Sequence, residues 1–149
     1  MIVAGLLLLL LGLAPGTHVD ARDYPAAGQG AAAFAVMERA LVRGFDDVCG
    51  DTFCEGDYGN LRALQLRCAV RSRSGMVAGC LWSFAGSYAY VSPTAALPEV
   101  DARTWACPLP VVAGTSLAAL LERLSGPDAL DTPLPGTGVS TYEALTDCL

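Results

Sequence analysis

A chain of 149 residues has room for one hydrophobic core, and 53% hydrophobic against 16% charged residues makes it too apolar to remain disordered. Its formal charge of −6 argues against nucleic acid, whose phosphates call for a basic surface. Lysine is absent and His18 is the only histidine, so catalytic sets built on those two side chains are largely excluded. The single Ile (Ile2) and single Asn (Asn60), beside abundant Ala, Leu and Gly, point to a bacterial gene of high GC content.

Residues 1–21 read as a secretory signal peptide. An apolar run from Ile2 to Leu13 is followed by Pro15 and Gly16, then by Val19-Asp20-Ala21, where small residues suit signal peptidase. Cleavage is expected after Ala21, leaving a flexible segment at 22–30 and a single domain at 31–149, secreted or periplasmic. Ile2 to Thr17 is uncharged, approaching the roughly 17 residues that span a bilayer, so an N-terminally membrane-anchored domain is the alternative. Once the leader is removed, no stable membrane insertion is expected. His18 leaves with it, which rules out Ser-His-Asp, Cys-His and Ser-Lys nucleophile systems, a Schiff-base or P-loop lysine, and histidine-bound metal.

All six cysteines follow the leader, and an even count behind an export signal implies three disulfides. Their spacing contains no C-x-x-C pair, so zinc and iron–sulfur are not expected, and no cofactor is called for.

Residues 31–45 place Phe34, Met37 and Leu41 at helical spacing, with Glu38, Arg39 and Arg43 on the other side. Residues 46–60 are rich in Asp and Gly and read as a loop, with Cys49 and Cys54 close enough to staple it. Over 64–71 the alternation of Leu64, Leu66, Cys68 and Val70 with Gln65, Arg67 and Arg71 is that of a half-buried strand. A turn at 72–75 leads into a strand within 76–91, carrying Trp82, Phe84, Tyr88 and Tyr90. Setting Cys68 opposite Cys80 also sets Leu66 against Trp82, Leu64 against Phe84 and Val70 against Ala78, and puts Gly75 where a left-handed residue is wanted. The expected bridges are therefore Cys49–Cys54, Cys68–Cys80 and Cys107–Cys148, with Cys80–Cys107 as the main competitor. A third strand at 103–109 ends at Pro108 and Pro110. Ser116 caps a helix at 117–124, 128–139 reads as an extended strap, and Ser140 with Glu143 forms a capping box for a last short helix. The fold class is α+β: a small three-stranded antiparallel meander with helices packed on one face, stabilised by disulfides.

Two surfaces carry chemistry. The first is the outer sheet face, where Arg67 and Arg71 alternate outward with Arg62 and Arg73 nearby, and arginine forks suit carboxylate, sulfate or phosphate groups. Val77, Gly79 and Leu81 are expected beside them, while Trp82, Phe84 and Trp105 are expected in the core. The second surface is the acidic loop, in which Asp46, Asp47, Asp51, Glu55 and Asp57 crowd twelve residues. These acids cap turns, could form a weak calcium site, or could supply a carboxylate pair for hydrolysis at roughly 5–9.5 Å separation. No calcium-loop register is present. The expectation is a small binding or inhibitor-like interaction domain rather than an enzyme, with an extracellular protein or an anionic glycan as partner. A hydrolase or a weak calcium module is the alternative.

Overall fold

Helix α1, Ala31–Cys49, forms because Phe34, Met37, Leu41 and Phe45 recur every three or four residues and bury one stripe, while Arg39 and Arg43 remain in solvent. The computed structural model, which describes residues 17–149, sets α1 against a four-stranded antiparallel sheet of order β1-β2-β3-β4. The strands are β1 (His18–Asp20), β2 (Arg62–Arg71), β3 (Val77–Tyr90) and β4 (Glu99–Leu109). Helices α2 (Leu117–Leu124) and α3 (Thr141–Thr146) join α1 on the same side. Their buried Leu120, Leu124 and Leu145 share one core with Leu66, Val70, Trp82, Phe84 and Cys107 of the sheet. The apolar run read as a leader lies outside the described residues, and among those described no helix is long and apolar enough to cross a membrane.

The sheet has four strands, not three, and the extra one comes from the segment assigned to the leader. Val19 pairs with Val70, and Ala21, the residue expected at the cleavage point, is fully buried. Glu38 of α1 accepts the Leu66 N–H at 3.2 Å and the Arg22 guanidinium at 2.7 Å, closing the β2 edge beyond β1. Helix α1 also runs through Cys49 rather than stopping before Asp46. Cys49 lies one turn beyond Phe45 on the buried stripe, so packing carries the helix past two acids that read locally as turn residues. Gly44 is tolerated within it because a Cβ there would come within 2.7 Å of the Leu130 Cβ.

The hairpin pairs Leu66 with Trp82 and Cys68 with Cys80, but two bulges change the register on either side. Below the first, Phe84 faces Ala63 instead of Leu64, and Leu64 turns outward at 52% exposure. Ser83 makes this possible, since its hydroxyl accepts the Gln65 N–H and donates to the Gln65 carbonyl, both at 3.2 Å. At the second, Val70 faces Val77 instead of Ala78, so Val77 is buried rather than displayed on the outer face. Gly75 adopts φ +70° in the turn, where any side chain would be strained and would meet the Tyr24 ring. The strap at 128–139 is a chain of turns that buries Ala129, Leu130 and Leu134, not an extended segment. Trp105 sits half-buried at the rim of the core. The disulfides close Cys49–Cys54, Cys68–Cys80 and Cys107–Cys148.

Removing residues up to Ala21 strips Val19 from Val70 and takes a buried methyl from beneath α1. A chain starting at Arg22 is expected to lose about 2 kcal/mol or more relative to one starting at Thr17, measured by urea denaturation; equal stabilities would show that β1 contributes nothing.

Candidate functional site: the open face of the sheet

Because helices α1, α2 and α3 pack on one side, every second residue of the strands is left without cover among the described residues. On β3 these are Leu81, Ser83, Ala85 and Ser87, and on β4 Ala102, Thr104 and Ala106. Leu81 is 46% exposed although it lies between two fully or nearly buried neighbours, Cys80 and Trp82, as the period of two requires. Around this floor of small side chains stand Arg62, Arg67 and Arg71, all exposed. Arg67 and Arg71 alternate outward along β2, and the first bulge brings Arg62 onto the same face opposite Ala85. Arg73 extends the series into the turn. Arg67 approaches Asp20 at 3.7 Å, and among the described residues no ion pair engages Arg62, Arg71 or Arg73. A shallow groove of about 510 Å³ runs between Arg62, Leu64, Ala85, Ser87, Ala102 and Thr104.

The acidic segment is not gathered. Asp46 and Asp47 ride the last turn of α1, while Asp51, Glu55 and Asp57 spread over the following turns, all five exposed. Among the described residues no group of three His, Cys, Asp or Glu side chains is placed to hold a metal ion. The cavity beside the loop, about 360 Å³, is lined by Asp46 and Arg62 and by none of the other four acids. The loop's inward side is aromatic: Phe53 stacks on Phe45 at 5.5 Å and meets Tyr142 at 5.4 Å.

The structure adds a cluster that composition did not single out. Beyond Ala85, β3 is paired only with β4, and this two-stranded arm carries Tyr88 and Tyr90, each 38% exposed and stacked at 5.5 Å. Tyr90 donates its hydroxyl to Glu99 and Tyr58 donates to Asp101, each at 2.6 Å. The Arg103 guanidinium lies 5.2 Å over the Tyr58 ring and 3.4 Å from Asp101, and Trp105 meets Tyr58 edge-on at 5.2 Å. The one signal available in sequence was the alternation Tyr88–Tyr90 and Asp101–Arg103–Trp105 on facing strands.

No family model, curated protein or solved structure matches the chain.

The hydrogen bond to Asp101 pushes the Tyr58 phenol above its ordinary 10.0, and the bond to Glu99 does the same for Tyr90. A raised folded value means that this stabilisation is fully present below pH 10 and is lost as pH rises through the folded pKa. Absorbance titration should find two phenols ionising late, with Asp101→Ala and Glu99→Ala each returning one toward the ordinary value. Unchanged titration in both variants would contradict the assignment.

Proposed function

We propose that this chain is a secreted or periplasmic, disulfide-stabilised binding module of the inhibitor-like kind, which meets its partner through the open face of the sheet. The observation that supports this reading is one of placement. Three helices cover one face, and the other is a small-residue floor edged by Arg62, Arg67 and Arg71 in a chain whose formal charge is −6. Guanidinium forks hold carboxylate or sulfate oxygens in pairs. The flat floor between them admits a peptide backbone or a sugar ring at close range. The partner is accordingly an acidic segment of an extracellular protein or an anionic glycan. Asp20 lies 3.7 Å from Arg67 and Asp46 shares a cavity with Arg62, whereas Arg71 and Arg73 have no ion pair among the described residues; at about 0.1 M salt, charges more than about 10 Å away are screened.

Three disulfides suit an oxidising compartment. Export is compatible with the fold when the leader is cut ahead of β1, which leaves His18–Asp20 in the sheet. Hydrolysis or calcium binding by the acidic loop has less support, because its carboxylates are dispersed.

The purified protein should be retained on immobilised heparin or bind poly-glutamate at low ionic strength, and release as salt rises. Arg62→Ala/Arg67→Ala/Arg71→Ala should weaken that binding about ten-fold or more while leaving the fold intact. Failure to bind either polyanion, or equal binding by the triple variant, would contradict this face as the site.

A further inference from the structure

The two edges of the sheet are not alike. The β2 side is closed by β1 and by the Glu38 carboxylate, which takes the Leu66 N–H. On the opposite side β4 is the last strand, and among the described residues the only backbone bond to it from outside the β3 ladder runs from the Val111 N–H to the Leu109 carbonyl. Pro98 and Pro108 bound this edge, and between them every residue carries an N–H. An open edge of this length is a template for another strand.

Its side chains are complementary to themselves under a two-fold axis. Asp101 and Arg103 lie on the helical side of β4, flanking Ala102 on the open side. When a second copy of β4 is laid antiparallel with Ala102 on the axis, Asp101 of each chain stands opposite Arg103 of the other, giving two cross-strand ion pairs. Val100 then faces Thr104 twice, and the centre is an Ala–Ala contact that lets the backbones approach. Moving the axis one residue either way sets Arg103 against Arg103 or Asp101 against Asp101, which is unfavourable for directly opposed like charges. Arg103 and Asp101 are both exposed, with side chains 61% and 47% accessible, and Arg103 is already oriented by the Tyr58 ring. We infer that the protein forms a two-fold dimer by antiparallel pairing of β4 edges centred on Ala102, with Asp101–Arg103 pairs setting the register. An edge-to-edge dimer places both open faces on one side of a continuous sheet, yet its formation does not depend on what those faces bind.

Sedimentation velocity of the purified protein over a concentration range up to about 200 µM should show a monomer–dimer equilibrium. Asp101→Arg alone and Arg103→Asp alone should each weaken dimerisation about ten-fold or more, since each replaces two attractive pairs by two repulsive ones. The swap Asp101→Arg/Arg103→Asp should restore dimerisation to near the parent value. Circular dichroism establishes that each variant is folded. As a measurement independent of charge, Ala102→Cys should cross-link two chains under oxidising conditions, because only position 102 faces its own copy. Thr104→Cys should not. A monomer at every concentration, indifference to the single reversals, a swap no better than the singles, or equal cross-linking at 104 would each overturn the proposal.

Discussion

The fold depends on the packing of Phe45 against Trp82 and Phe84. Ring centroids lie 6.1 Å from Trp82 and 5.0 Å from Phe84, and the two strand residues lie 4.8 Å from each other. All three side chains are fully buried. Aromatic burial on this scale is worth several kilocalories per mole. Because Trp82 and Phe84 are two residues apart on one strand, docking α1 onto them commits that face of the sheet to the core and, by alternation, leaves Leu81, Ser83 and Ala85 outside. The candidate binding face is thus the consequence of where the core lies.

The disulfides secure what packing alone holds loosely. Cys49–Cys54 closes the turn after α1 so that Phe53 reaches Phe45 and Tyr142, which turns the acids of that loop toward solvent. Cys107–Cys148 ties the short α3 to β4, and Cys68–Cys80 holds the hairpin between its two bulges. In a domain of this size such links substitute for core that a short chain cannot supply.

Where local pattern and tertiary packing agreed, the sequence was readable. Ser116 caps α2 through the Ala119 N–H, and Ser140 with Glu143 closes a capping box on α3. Leu66–Trp82 and Cys68–Cys80 pair as alternation and turn length imply. The misreadings have physical causes. Strand β1 is three residues long and follows closely on the apolar run in sequence, so nothing local marks it; its evidence is the Val19–Val70 pairing. The end of α1 was hidden because Asp46, Asp47 and Gly50 read as turn residues, whereas burial of Cys49 decides the outcome. Bulges cannot be seen in a period-two pattern, and the two hydrogen bonds between the Ser83 hydroxyl and the Gln65 backbone accompany the bulge that sends Leu64 outward and brings Arg62 onto the site. Arg67 and Arg71 were legible from alternation, whereas Arg62 joins them only through the bulge, and the Tyr58–Asp101–Arg103 cluster required knowing that a loop before β2 folds over β4.

One face of this sheet is core and the other is free, and neighbouring residues on β3 test this directly. Urea denaturation of Leu81→Arg and Trp82→Ala, compared with the parent, separates the two faces. The account predicts a change within about 0.5 kcal/mol for Leu81→Arg and a loss of about 3–5 kcal/mol for Trp82→Ala. Comparable destabilisation by both would mean that the outer face is packed rather than open, and would contradict the account.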